Sequence, residues 1–273
     1  MADATRTSTG MARIEAAFAA ADQEGRAALM PYLMGCFPDR EGAIEVARAY
    51  ADAGADLVEV GVPFSDPLAD GPVIHAAATQ ALDRGADFDG ALAACEVLGE
   101  GVPSVAMCYV NMVLAQGPLR FAGRLAEAGA AGAIVPDLPL EESGEIREAL
   151  EAEGLALIPL VAPTTPSDRR RRICESARGF VYVVSVVGVT GERDELPPEL
   201  SELVRAVKEE AAVPVAVGFG IGTPQQAAAV GKLADGVIIG TRLVREVSEA
   251  GDTAAGAEAA GAFLREVRDA LAG

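Results

Sequence analysis

The first residue in this sequence with the makings of a catalyst is a glutamate near the end of an apolar, β-prone run. In Leu57-Val58-Glu59-Val60, side chains alternate, so Leu57 and Glu59 share one face and Val58 and Val60 the other. Strands of a parallel barrel are buried on both faces, and a carboxylate pointing inward there is costly unless it lines a site. Burial without a cation would raise its pKa and suit it to carry a proton near neutral pH. The plainer alternative is that Glu59 accepts backbone hydrogen bonds at a strand end. Asp70, in the loop that follows, precedes a glycine, which is ordinary turn chemistry, and spacing alone leaves its role open.

Glycines form the second group of interest. Val217-Gly218-Phe219-Gly220-Ile221-Gly222-Thr223 and Ile239-Gly240-Thr241 each follow an apolar run. Backbone N–H groups and a helix N-terminus at such places can hold a phosphate, with Thr241 capping the helix or donating its hydroxyl. Tight turning is the alternative. A dinucleotide fingerprint fails, because Thr223 stands where the third glycine is required.

Missing residues narrow the chemistry. Carbon-carbon cleavage through an imine needs a lysine at the site, but Lys208 and Lys232 both fall in helical segments. A metal-dependent aldolase would want several histidines, and His75 is the only one; it reads as a surface residue at a helix start. The run Arg169 to Arg172 reads as a solvated helix face. Cys36, Cys95, Cys108 and Cys174 show neither paired nor close spacing, which points to buried reduced thiols.

The elements that must position these residues recur along the chain. Apolar runs at Leu29–Leu33, Leu57–Val60, Ser104–Tyr109, Gly132–Val135, Ala156–Val161, Phe180–Val184, Val213–Val217 and Gly236–Ile239 make eight candidate strands. Helical periodicity fills the intervals, as at Arg40–Ala53, Pro118–Ala128, Glu142–Glu153, Asp168–Ala177 and Pro224–Lys232. Strict alternation implies a parallel sheet, and the count and length favour an α/β fold of a single (β/α)8 barrel, residues 11–273. An extra helix over Ala12–Ala21, with Ile14, Ala17 and Phe18 on one face, would plug the N-terminal end. Active sites of such barrels sit at the C-terminal strand ends. Two loops there are unusually long, Gly61–Gly71 and Ser185–Pro197, and the second is a candidate lid.

Residues 1–10 read as a disordered polar extension without the apolar run of a signal peptide. A net charge of −19 argues against nucleic acid and anionic membranes as partners. A phosphate ester would have to be held locally, by backbone amides and helix ends. A cytoplasmic location is expected.

The segment from Glu59 to Pro72 resembles the signature of tryptophan synthase alpha subunits. Pro31-Tyr32-Leu33, Met107 to Asn111, Ile134 to Pro139, Ala162 to Pro166 and Gly188 to Gly191 are similar to family segments in family order, so the likeness runs from about Arg13 nearly to the C-terminus. The resemblance implies cleavage of indole-3-glycerol phosphate to indole and glyceraldehyde 3-phosphate. It implies Glu59 as proton shuttle and Asp70 as the carboxylate that stabilises a positive indolenine through its ring N–H. It further implies phosphate contacts at Gly191, Gly218, Gly220, Gly240 and Thr241, with Phe219 beside them. An indole pocket of Tyr32, Tyr109, Ile134 and Tyr182 follows, with Thr190 as the lid threonine. No cofactor is implied for this chain; pyridoxal phosphate is expected in a partner beta subunit, in an assembly of two alpha and two beta chains. Cys36, His75 and Val187 depart from the family pattern, which bears on loop geometry and partner fit. Two other readings remain: a stand-alone lyase of the same fold, distinguished by whether its rate depends on a beta subunit, and a catalytically silent barrel acting as an allosteric activator. Retention of both Glu59 and Asp70 argues against the second.

Overall fold

The computed structural model describes residues 9–67, 70–99, 101–184, 198–218 and 220–273. Parallel strand segments β1 (Ala28–Met34), β2 (Val58–Gly61), β3 (Ser104–Met107), β4 (Gly132–Ile134), β5 (Ala156–Ile158), β6 (Leu160–Val161), β7 (Val181–Val184), β8 (Val215–Gly218) and β9 (Gly236–Ile239) pair in the order β5-β4-β3-β2-β1-β9-β8-β7-β6. The two ends of that series are neighbours in the chain, separated only by Pro159. Proline has no N–H to give to a ladder, so β5 and β6 are two halves of the single strand expected over Ala156–Val161. The first half pairs with β4 and the second with β7, and the Tyr182 N–H donates to the Pro159 carbonyl at 3.0 Å between them. The sheet thereby closes, and the eight expected runs become eight staves of one barrel.

Boundaries shift where a neighbouring element takes over the backbone. The third run ends at Met107, short of Tyr109, because Tyr109 is already the N-cap of helix α5 (Val110–Gln116). At the N-terminus, Thr9 and Gly10 belong to a helix and not to an extension. The Thr9 hydroxyl accepts the Ala12 N–H to cap α1 (Gly10–Gln23), and a Cβ at Gly10 would lie 2.6 Å from the Ala131 carbonyl oxygen. Residues 1–8 lie outside the described residues.

Alternation along the strands divides the apolar interior into two. Ala28 and Met30 of β1, Leu57, Val105, Ile134, Ala156, Ile158, Phe180, Tyr182, Ala216 and Ile238 point into the barrel and form one cluster. The opposite parity, including Leu29, Leu33, Val58, Val60 and Val217, packs outward beneath the helices. Ile14, Phe18 and Ala21 of α1 recur at helical spacing and belong to the inner cluster. The Phe18 and Phe180 rings meet with centroids 5.7 Å apart, so α1 closes the N-terminal end and leaves the C-terminal end to the chemistry.

Charge at that closed end is paired. The Arg26 guanidinium makes a bidentate pair with Asp56, at 2.6 and 2.9 Å, and its Nε donates to Glu24. Asp56 also accepts the Leu29 N–H at 2.7 Å, which ties the entry of β2 to β1. Arg268 of the C-terminal helix α12 (Thr253–Leu271) donates to the Gly54 carbonyl and to Glu24. Removing Asp56 would leave the 7 %-exposed Arg26 without its main counter-charge, so Asp56→Ala should destabilise the chain by about 3 kcal/mol while leaving the open end intact. Urea unfolding is the check; a loss within about 0.5 kcal/mol would show the pair to be dispensable.

Candidate active site

Glu59 shares the inward parity of Leu57, as its strand position requires, and is 2 % exposed. It is register partner of Tyr32 on β1 and of Val105 on β3. Among the described residues no cation is paired with it. Burial, and after it the negative charge of Asp70, raise its pKa from 4.5 to about 8. Asp70, half-buried where the loop after β2 enters α3 (Pro72–Asp83), is also held above the usual carboxylate range by burial, against the opposing pull of His75. Two acids separated by a loop are therefore close enough for the charge of one to raise the pKa of the other. His75 is exposed on α3, as its position at a helix start suggested.

Two phenols lie within the field of both acids, and a third, Tyr109, is coupled to Tyr32. Tyr32 and Tyr182 are 4 % and 8 % exposed, and each has its pKa raised by burial first and by the two carboxylates next. Each lies over a glycine of the neighbouring strand. A Cβ at Gly61 would fall 2.0 Å from the Tyr32 hydroxyl, and one at Gly218 would fall 2.5 Å from that of Tyr182. Tyr109 stacks on Phe64 of the long second loop, centroids 4.8 Å apart at 29°. Ile134 is fully buried in the inner cluster. The Val110 N–H donates to Asp137 at 2.9 Å, so the loop after β4 holds the turn that carries Tyr109. Sequence reasoning assigned nothing to Gly61, Phe64 or Asp137. Gly61 alone had a visible signal, a glycine continuing the inward parity of Glu59.

The two glycine-rich strand ends lead to different helix starts. In α10 (Pro224–Gly231), the Thr223 hydroxyl accepts the Gln226 backbone N–H while the Gln226 side-chain Oε1 accepts the backbone N–H groups of Gly222 and Thr223, a complete capping box. Those donors are occupied. In α11 (Thr241–Glu249), Gly240 is the N-cap and no side chain caps it among the described residues. First-turn amides without a cap, at the positive end of a helix dipole, suit an anion. Gly240 is adjacent to the mouth, since a Cβ there would lie 3.6 Å from both Ile74 and Tyr32. Gly220, with φ +39, is exposed at the end of β8. Thr190, Gly191, Phe219 and the candidate lid over Ser185–Pro197 lie outside the described residues.

Comparison with known proteins shows the family. The family model described as "Tryptophan synthase alpha chain" matches residues 18–271. The chain belongs to the tryptophan synthase alpha chain family. Among curated family members it is 46 % identical to the tryptophan synthase alpha chain of Prochlorococcus marinus (strain MIT 9313) over 262 residues, 95 % of each chain. It is 48 % identical to that of Synechococcus sp. (strain CC9902) over 251 residues, 91 % of this chain and 93 % of the other. Among solved structures, Mycobacterium tuberculosis tryptophan synthase superposes with a TM-score of 0.88 at 38 % identity, covering 95 % of this chain and 98 % of that one. The alpha subunit of Legionella pneumophila str. Paris superposes with a TM-score of 0.85 at 34 % identity, covering 95 % and 98 %.

The departures from the tryptophan synthase alpha pattern now have places. Cys36 holds φ +59 in the turn after β1, a left-handed conformation that costs an L-residue about 1 kcal/mol relative to glycine. Its thiol is buried beside Gly90 and burial pushes its pKa up. Val187 lies outside the described residues. On α8 (Ser167–Ser176), Arg169 and Arg172 pair with Glu141, Arg170 with Glu210 and Arg171 with Asp168, which fits a structural role for the arginine run.

The buried carboxyl makes stability depend on pH. Glu59 ionises near 4.5 in an unperturbed chain and near 8 in the fold. Between those values the folded state binds more protons than the unfolded one, so stability is lost as pH rises, by up to about 1.4 kcal/mol per unit. Glu59→Gln has no proton to lose. Its stability relative to the parent should therefore increase from about pH 4.5 to about pH 8 and level off above, as measured by urea unfolding across that range; a difference independent of pH would refute the assigned proton affinity.

Proposed function

We propose that this chain is the alpha subunit of tryptophan synthase, cleaving indole-3-glycerol phosphate to indole and glyceraldehyde 3-phosphate in tryptophan biosynthesis, with Glu59 as the group that moves the proton. The observation that carries this reading is a buried carboxyl inside the mouth of the barrel with no cationic partner among the described residues, whose burial raises its pKa to about 8. Such a group enters the reaction protonated. It donates to the indole ring carbon that bears the glycerol chain, and the ring becomes a cation. Asp70 accepts the ring N–H and offsets that charge, which is the kind of preorganised electrostatic stabilisation a retro-aldol cleavage needs. Glu59, now a carboxylate, takes the proton of the adjacent hydroxyl. The carbon-carbon bonding pair returns to the ring, the hydroxyl carbon becomes the aldehyde, and Glu59 is protonated again. The cycle consumes neither water nor an external proton, and side chains suffice for every step, so no cofactor is required of this chain.

Tyr32, Tyr109, Ile134 and Tyr182 would enclose the indole. The amides following Gly240, with Thr241, Gly218 and Gly220, would hold the phosphate, joined by Gly191 and Phe219, and Thr190 would orient Asp70. A beta subunit carrying pyridoxal phosphate is the expected partner, in an assembly of two alpha and two beta chains. Leu114 and Leu119, 61 % and 77 % exposed on the helices after β3, supply apolar surface of the kind a partner covers. A cytoplasmic location is compatible with the absence, among the described residues, of a helix long and apolar enough to cross a membrane.

Glu59→Gln should abolish cleavage and leave binding of a glycerol-phosphate analogue nearly intact, because the amide keeps the shape but takes up no proton. Wild-type turnover by that variant would overturn the assignment. Gly240→Asp has room for its Cβ but sets a negative charge at the helix start. It should weaken analogue binding at least about tenfold, roughly 1.4 kcal/mol, with an unchanged circular dichroism spectrum; undiminished affinity by calorimetry would remove the phosphate from this end of α11. Assaying cleavage with and without a beta subunit separates the subunit from a stand-alone lyase.

A further inference from the structure

Glu59 is enclosed unequally. Leu57, below it on the same face of β2, and Val105, beside it on β3, are fully buried and apolar. Both lie on the side away from the mouth or level with it. Toward the mouth, the next inward position of β2 is Gly61, which has no side chain to offer. The Tyr32 phenol occupies that position instead, its hydroxyl standing where a Cβ of Gly61 would project, 2.0 Å from the ideal atom. Tyr32 is register partner of Glu59, so its ring crosses from β1 onto β2 at the level just above the carboxyl. Its hydroxyl has one partner among the described residues, the Met34 sulfur at 3.9 Å, which is a weak acceptor. The phenol is thus held by shape against bare backbone more than by hydrogen bonding.

We propose that Tyr32 is a positioning residue for Glu59: its ring, admitted by the missing side chain of Gly61, roofs the carboxyl on the mouth side and keeps bulk water from it. This rests on the reading of Glu59 as the proton carrier and goes beyond it, by assigning the source of its proton affinity to one neighbouring side chain. Burial is the leading cause of the raised pKa of Glu59, ahead of the charge on Asp70, and the roof supplies the part of that burial facing solvent. Among the described residues, the other titratable groups coupled to this cluster are Tyr182 from β7, His75 of α3 through Asp70 and, through Tyr32, Tyr109 at the start of α5. Val105 and Met107 on β3, Ala216 on β8 and Ile238 on β9 bring no charge.

The test is the titration of Glu59 itself, followed by carbon-13 NMR of the full-length protein labelled at glutamate side-chain carboxyls, with Glu59→Gln identifying the resonance. Tyr32→Phe keeps the ring and should leave the midpoint within about half a unit, whereas Tyr32→Ala opens the roof and should lower it by about one unit or more, a tenfold rise in the acid dissociation constant. If Tyr32→Ala fails to fold, Gly61→Ala displaces the phenol from the other side and should lower the midpoint in the same direction. An unmoved midpoint in whichever of these two variants folds overturns the proposal, as does an equal drop in Tyr32→Phe. The pH profile of cleavage separates the two readings. A shifted titration with an unshifted acidic or basic limb would sink Glu59 as proton carrier and keep Tyr32 as its roof. An unmoved titration together with an inactive Glu59→Gln would do the reverse.

Discussion

The constraint on which this structure turns is a carboxyl buried without a cation inside a closed parallel barrel. Water is excluded from the interior by packed side chains, so the charged form of Glu59 is disfavoured, and no arginine or lysine among the described residues compensates it. The same strand entry shows the opposite solution. Asp56, at the closed end, is answered by Arg26 and by the Leu29 amide. Two acids a short step apart on the chain are thus placed in contrasting environments. The paired one ties the barrel's base together, and the one without a cation among the described residues has its pKa raised by burial.

The same division of labour runs through the helix termini. A start that satisfies its own amides, as at α10 with Thr223 and Gln226, is stable but chemically silent. A start capped by a glycine, as at α11, leaves its donors to whatever anion arrives. A strongly acidic chain needs such a device, since a net charge of −19 supplies no general attraction for a phosphate ester. On the proposed function, binding would come from a few oriented backbone groups at short range.

Glycine has a second use at the mouth. Gly61 and Gly218 are bare positions over which the Tyr32 and Tyr182 rings lie. Aromatic side chains from one strand thereby cover the inner face of the next, and the mouth is lined by flat apolar surfaces with two acids between them. An indole ring is the kind of ligand that such walls accept.

Much of this was legible in the sequence because it is local. Alternation of apolar residues located the staves, helical spacing in Ile14 and Phe18 announced the plug, and parity alone turned Glu59 inward. Pro159, by lacking an N–H, split one stave into two segments without changing where it runs. The motif from Glu59 to Pro72 carried the family, since a long ordered string of residues is specific where a single glycine is not. What only the tertiary structure decided is what depends on which strands become neighbours. That Tyr32 becomes the register partner of Glu59, that the Tyr182 ring lies over Gly218, and that the Tyr32 phenol rests on Gly61 are contacts set by barrel closure and strand register. Periodicity along a chain records which way a side chain faces, but not what it will meet there.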